Sequence, residues 1–461
     1  MPMALSQSFK DLCAVAPPPT QPLGKLESNS PSGKPPLAAA RRSTAQDLLQ
    51  EKYNVKAIQE SENDKAEIVI VCEPEGMSLQ MGGLHPRASL YEKPVNLEAA
   101  KQAHAEFRRV MREKGVRVLT VREILAYGTA DHVGARVELE EFAMLASRGA
   151  LTYKLADGYK MEEIEEKDRY YLSDEYKRTV LQARNMSVPQ LIDTILINPT
   201  VSVAPSYRDT GLNATYSFEP LSNLVYTRDQ QVTTCKGIVM GRLRSPQRNL
   251  EVSLMKFCLQ KLGLPVVGEI QEPGYLEGGD FFPAGRDLAL LGIGLRSNFE
   301  ACKQLMEGDL LGTRRFAVVR DDFEQHQASD RMHLDCVFSI VSDNVCIMLE
   351  EMMGADSPTR RLVDEYTRGS DGVYVQTKQG VEFSQYMRDN GYHIIPIKPK
   401  HQLEYGCNIL NLGNECIISV HMETARQIVQ SPHFYGDVQC IDYSPITSMY
   451  GAVVKRVPRR F

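Results

Sequence analysis

Tryptophan is absent from the 461 residues, and no stretch approaches the roughly 18 consecutive apolar residues of a membrane-spanning helix. Basic charge is not in excess. The 53 Lys and Arg stand against 59 Asp and Glu, a net charge of −6, so the chain lacks the positive balance that a nucleic-acid partner calls for. The ten cysteines are scattered singly, with no Cys-x-x-Cys pair. That excludes a disulfide scaffold and the usual zinc spacings, and points to free thiols in the cytoplasm. What is left is an ordinary globular balance, 43% hydrophobic and 24% charged, in a chain long enough for several domain-sized units or one large domain with insertions.

Residues 1–46 differ from the rest. They hold Pro17-Pro-Pro19, Ser28-Asn-Ser-Pro-Ser32 and few large apolar side chains. Such a segment buries too little surface to offset its ordering entropy and is expected to be disordered. Lys10, Lys25, Lys34, Arg41 and Arg42 among Ser and Ala give it the look of a transit peptide, for a mitochondrion or plastid, although Asp11 and Glu27 do not fit one. The folded part is expected over 66–461. Glu67-Ile-Val-Ile-Val-Cys72 reads as a buried strand closed by Pro74 and Gly76. Asn96 reads as the cap of a helix with Leu97, Ala100, His104, Phe107 and Met111 on one face, and Val116–Thr120 as the next strand. Residues 121–200 are charge-rich and helical in pattern, an expected helical insertion on an α/β body.

From about residue 221 one block recurs: a polar motif, an apolar strand, a tight turn, a second apolar strand and a helix. The turns are Cys235-Lys-Gly237, Gly285-Arg-Asp287, Ser342-Asp-Asn344 and Gly413-Asn-Glu415. Helices follow at about 248–262, 297–308 and 422–430. Repetition at this scale marks a radially or linearly repeated architecture.

The polar motifs carry the chemistry. Successive blocks open with Tyr226-Thr-Arg-Asp229, Glu277-Gly-Gly-Asp280 and His333-Leu-Asp335. Acids at matching places of a ring would meet on its axis, where unpaired charge is costly. A cationic ligand relieves them, and a guanidinium fits best, being planar, permanently charged and rich in donors for carboxylates. Taken one at a time, Asp229 reads equally as a strand-end cap, Gly278-Gly279 as a bulge and His333 as a core histidine. A metal centre is not expected, because no second histidine joins His333 at zinc spacing. Arg248 and Arg296 follow Asp229 and Asp280 at similar intervals and could hold a carboxylate or merely face solvent. Asn223 lies in a turn where Asn often serves the backbone.

Asn223-x-x-Tyr-Thr-Arg-Asp229, Leu276-Glu-Gly-Gly-Asp280, Gly292-x-x-x-Arg296 and Met332-His-Leu-Asp-x-Val-Phe338 resemble the arginine deiminases, within the guanidino-group-modifying superfamily that also holds amidinotransferases and dimethylarginine hydrolases. The resemblance runs from about residue 66 to about 450. It implies an α/β fold, a five-fold pseudo-symmetric propeller of ββαβ units with a helical insertion after the first. It implies hydrolysis of free L-arginine to L-citrulline and ammonia, with no cofactor. Asp229 and Asp335 would grip the guanidinium. Glu277 would hold it and pass protons, and His333 would act as general acid and base. Asn223, Arg248 and Arg296, with Asp280, would make up the substrate-binding group. A homo-oligomer stays open, as does hydrolysis of another guanidino compound.

The same resemblance implies a nucleophilic cysteine near the C-terminus, in a Gly-rich His-Cys element. Where it should stand, the chain reads Ser448-Met-Tyr-Gly-Ala-Val-Val-Lys455-Arg-Val-Pro458, without cysteine. Either the nucleophile is lost and the protein binds arginine without hydrolysing it, or a few residues are deleted at the join of Val453 and Val454. Cys407 and Cys440 are the substitutes to weigh, although most such thiols are inert packing.

Overall fold

The computed structural model describes residues 57–449 apart from 75, 92, 146–149, 207, 209, 323–330 and 448. The expected disordered tail and the Val453-Val454 join lie outside the described residues.

Four consecutive buried aliphatic residues form β1 (Ile68–Val71), parallel to β2 (Arg117–Thr120). Between them runs the helix Leu97–Glu113, whose first turn is capped by the Asn96 side chain accepting from the Ala99 N–H at 3.1 Å. Its inner face, Ala100, Ala103, His104, Phe107, Val110 and Met111, is buried. Sequence periodicity anticipated this unit closely.

The insertion differs from expectation. It contains helices Val121–Ala126, Val133–Met144, Asp174–Leu181 and Val188–Ile197, and also a sheet of β3 (Thr152–Leu155), β4 (Pro199–Pro205) and β5 (Leu212–Phe218). It therefore runs to about residue 218 and is not purely helical. The physical reason is exposure. Almost every residue of β5 faces solvent, so the strand shows no inside–outside alternation to read.

Four units with one topology follow. In the first, β6 (Gln231–Thr233) and β7 (Ile238–Met240) pair antiparallel, helix Asn249–Lys261 crosses over, and β8 (Val266–Glu269) pairs parallel to β7. The second has β9 (Phe281–Gly285), β10 (Leu288–Ile293), helix Phe299–Glu307 and β11 (Arg315–Arg320). The third has β12 (Phe338–Ile340) and β13 (Val345–Leu349). A hairpin of β14 (Leu362–Arg368) and β15 (Tyr374–Glu382) is interposed before helix Phe383–Asp389 and β16 (His393–Ile397). That hairpin, unforeseen in the sequence, pairs with β11 and extends the neighbouring sheet to five strands. The fourth has β17 (Ile409–Asn411), β18 (Cys416–Ser419), helix Met422–Gln430 and β19 (Asp437–Cys440).

Hydrogen bonds tie neighbouring units in series. Thr227 Oγ1 donates to Ile70 O at 2.8 Å, Gly278 N to Asp229 O at 3.1 Å, Leu334 N to Asp280 Oδ1 at 2.9 Å and Asn408 Nδ2 to Asp335 O at 3.2 Å. Ala66 N donates to Leu412 O at 2.8 Å, linking the last unit back to the residues before β1. The leading strands β6, β9, β12 and β17 end at the hairpin turns. Beside those turns, all four of which contribute lining residues, a polar cleft of about 1040 Å³ opens among Glu60, Asp64, Asp287 and Asp343. The sequence-predicted carboxylates stand at the opposite ends of the same strands.

Candidate active site

Each leading strand is entered through a tight turn, and the turn carries the polar motif. Asp229 precedes β6, the turn Gly278–Asp280 follows Glu277 and enters β9, and the turn Leu334–Cys336 follows His333 and enters β12. The two glycines of Glu277-Gly-Gly-Asp280 are required by close approach. A Cβ on Gly278 would stand 2.1 Å from the Arg228 carbonyl oxygen, and one on Gly279 would stand 2.6 Å from His333 Nδ1. Neither distance is sterically open to a side chain.

These turns bring side chains from three units together. Ligating atoms of Asp229, Glu277 and His333 all lie within 4.8 Å of one another, and all three residues are buried. His333 Nε2 and Glu277 Oε2 are 2.8 Å apart. Glu277 Oε1 accepts from the Arg244 backbone N–H at 3.0 Å and lies 3.9 Å from Arg296 Nη1. Asp335 is 1% exposed. Its Oδ2 lies 3.3 Å from Arg228 Nε, yet among the described residues no hydrogen bond reaches that oxygen.

The acids are not waiting for a ligand to neutralise them. Arg248 Nη1 donates to Asp229 Oδ2 at 2.8 Å, His333 pairs with Glu277, and Arg228 stands by Asp335. Each carboxylate has a resident cation, which sequence spacing had no means of showing. The pairs set the proton affinities. Burial works against charge on both members of the Glu277–His333 pair. The hydrogen bond between them and the neighbouring charges prevail, lowering Glu277 and raising His333 to about 9. Burial also raises Asp335, while the Arg228 and His333 charges oppose the rise.

The expected substrate-binding residues are placed unevenly. Arg248 is 5% exposed and its donors are committed. Nε and Nη2 both donate to Glu251 Oε2, at 3.0 and 2.8 Å, and Nη2 also reaches Asn223 O at 3.4 Å. Glu251 in turn accepts from Gln230 Nε2 at 2.8 Å. Arg248 thus holds Asp229 and is no open clamp. Asn223 Nδ2 donates to Ser89 O at 3.0 Å, so its amide serves the backbone. Both Asp280 oxygens are taken up by protein. Oδ1 accepts from Leu334 N, and Oδ2 from Ser297 Oγ at 2.7 Å and Ser297 N at 3.3 Å. Burial lifts the Asp280 carboxyl to about 6. Arg296 is the exception. Its Nη2 contacts Met332 Sδ at 3.5 Å and its Nε has no hydrogen-bond partner among the described residues, so it has donors to offer beside Glu277. Arg228, Glu251, Gln230, Arg244 and Ser297 were not singled out from sequence. Only their closeness in the chain to the motifs hints at them.

Nine cysteines fall within the described residues, and in each burial pushes the thiol above its ordinary value. Cys407 is fully buried in the apolar core. None of these is a poised nucleophile. Asp229, Glu277 and His333 are also a donor set that could gather round a metal ion. Two of the three carry resident cationic partners, however, and Arg248 is in direct contact with Asp229. These resident cations offset much of the negative charge that a metal ion would draw on.

A family model described as arginine deiminase matches residues 88–453. Among curated proteins, the arginine deiminase of Halobacterium salinarum is 26% identical over 269 residues, 44% of this chain and 54% of that protein. The arginine deiminase of Streptococcus equi subsp. zooepidemicus is 23% identical over 355 residues, 74% of this chain and 82% of that protein. Among solved structures, an amidinotransferase from Microseira wollei in the saxitoxin biosynthetic pathway aligns at 12% identity with a TM-score of 0.48, covering 88% of this chain and 97% of that one.

Proposed function

The chain belongs to the arginine deiminase family, and from that premise we propose that its site takes the guanidino group of free L-arginine and is built to convert it, with water, to L-citrulline and ammonia. The observation that carries the reading is the meeting of Asp229, Glu277 and His333 within 4.8 Å, each delivered by the entry turn of a different unit. The companion reading of the fold is a five-fold α/β propeller. The series of inter-unit hydrogen bonds returning from Leu412 to Ala66 supports it.

The chemistry follows from the residues. Asp229 and Asp335 would bind opposite sides of the guanidinium, and Arg296 would meet the substrate carboxylate. A thiolate attacks the central guanidinium carbon. The C–N bond to one terminal nitrogen then breaks, and His333 delivers the proton that lets ammonia leave. The same imidazole, now neutral, takes a proton from water as it attacks the thiouronium carbon. The C–S bond breaks, and citrulline and thiolate are released. Glu277 holds the imidazole in place through its hydrogen bond to Nε2.

No cysteine follows Cys440 in the sequence and burial disfavours the thiolate at all nine described cysteines, so we read this chain as binding arginine without turning it over. A His-Cys element inserted at the Val453-Val454 join would supply one. β1 is the strand such an element would pair with. Among the described residues β1 pairs only with β2, whereas the second strand of every other unit has an antiparallel leading strand. The test measures citrulline and ornithine by mass spectrometry for the protein as it stands and for a version carrying the element. Citrulline from the second alone supports the reading. No citrulline from either would falsify the assigned reaction, and ornithine would shift it to a two-step hydrolysis.

A further inference from the structure

We infer that Arg228 is a positioning residue that supplies charge to Asp335 without occupying it, so that an ionised carboxylate oxygen stays open for the incoming guanidinium. This rests on the guanidinium-site reading and goes beyond it in naming what prepares the site.

Arg228 lies immediately before Asp229 and is 4% exposed. Its Nε–H is spent on the Gly278 carbonyl at 2.7 Å, and Nη2 donates to the Phe281 carbonyl at 3.3 Å. Both acceptors belong to the unit that carries Glu277. The guanidinium carbon stands 5.1 Å from the Phe282 ring centroid, so the fork is held on a third side as well. From this fixed position Nε lies 3.3 Å from Asp335 Oδ2, close enough for strong attraction but with its proton already directed elsewhere. Oδ2 of Asp335 therefore remains a buried acceptor with no donor among the described residues.

The contrast with Asp229 sharpens the point. Arg248 both neutralises Asp229 and hydrogen-bonds its Oδ2 at 2.8 Å. Arg228 gives Asp335 charge alone. A buried polar atom left without a partner is unfavourable, and a ligand that supplies the missing N–H recovers that cost on binding. A planar guanidinium can donate to Asp335 while Arg228 remains in place behind it. By the same logic, removing Arg228 takes away the countercharge in direct contact with buried Asp335, leaving only the His333 charge to oppose burial, and the carboxyl takes up a proton. Arginine would then have to expel that proton to bind.

The experiment is titration calorimetry of L-arginine into the full chain and its variants, in two buffers of different ionisation enthalpy at pH 6, 7 and 8.5. The difference between buffers counts the protons exchanged. For Arg228→Met, one more proton is released per arginine than for the unmodified protein at pH 7. Affinity falls at least tenfold at pH 6, and the deficit narrows at pH 8.5. Adding Asp335→Asn to that variant removes the extra proton. Arg228→Lys, which keeps the charge, binds within about tenfold of the unmodified protein and with its proton count. An unchanged proton count in Arg228→Met overturns the inference. So does a folded Arg228→Lys that loses more than a hundredfold in affinity at every pH, since the backbone contacts would then be the whole role of the residue. If Arg228→Met does not fold, the lysine variant decides alone. Absence of arginine binding by the unmodified protein would sink the guanidinium-site reading itself, and this inference with it.

Discussion

The Glu277–His333 pair makes the stability of the fold depend on pH in a defined direction. His333 is raised from 6.5 to about 9 in the folded chain, by its hydrogen bond to Glu277 and the surrounding carboxylates, against the opposing effect of burial. A group raised on folding contributes stability that is fully present below its unfolded value and lost as pH climbs through its folded one. The window is therefore pH 6.5 to 9. Within it the folded chain holds about one proton more than the unfolded chain, so stability falls by about 1.2 kcal/mol per pH unit. The sum across the window is about 3 kcal/mol. Urea unfolding at half-unit steps from pH 6 to 9.5 measures it. The reference is the double variant Glu277→Gln/His333→Gln, which removes both titrating groups while keeping their shape and one hydrogen bond between them. The unmodified protein should lose stability with rising pH relative to this reference. Parallel curves for the two proteins would refute the buried ion pair.

Three further outcomes are expected. Gly279→Ala, whose Cβ would press on the His333 ring at 2.6 Å, should lower stability by about 1–3 kcal/mol and weaken arginine binding, read by urea melts and calorimetry. Arg296→Met should weaken L-arginine binding about 10- to 100-fold, the loss of a charged hydrogen bond, while leaving binding of agmatine, which lacks the carboxylate, nearly unchanged; equal losses for both ligands would remove Arg296 from the carboxylate site. Asp280 is raised from 3.8 to about 6 by burial, so its contribution to stability is fully present below pH 3.8 and disappears as pH rises through 6; Asp280→Asn should remove that pH dependence, worth about 3 kcal/mol, in urea unfolding carried from about pH 3.5 to 7.

The repeating units were legible because their second strands are short and fully buried. Ile238–Met240 and Val345–Leu349 read as apolar runs, and each is preceded by a tight turn containing Gly, Asn or Asp. The hairpin of β14 and β15 was not legible. Most of β15 is exposed, and β14 pairs on its other side with β11 of another unit, so neither periodicity nor neighbourhood announces the hairpin. At the site, Asp229, Glu277, His333 and Asp335 could be picked out because they stand in the short polar motifs that open successive blocks. Their cations could not. Which guanidinium faces which carboxylate depends on turns that lie 50 or more residues apart in the chain, as for Arg228 with Gly278 and Phe281. The sequence argument that clustered acids demand a cationic ligand was incomplete for this reason. Arg248, His333 and Arg228 already balance them, and what the described residues leave without a donor is an acceptor on Asp335.

The most direct check on a guanidinium site is a calorimetric titration of L-arginine into the protein as it stands, beside the Asp335→Asn variant. The account predicts saturable binding of one arginine per chain by the first and at least a tenfold loss in the second. Heat indistinguishable from dilution in the unmodified protein, with its fold verified by a cooperative urea transition, would contradict it.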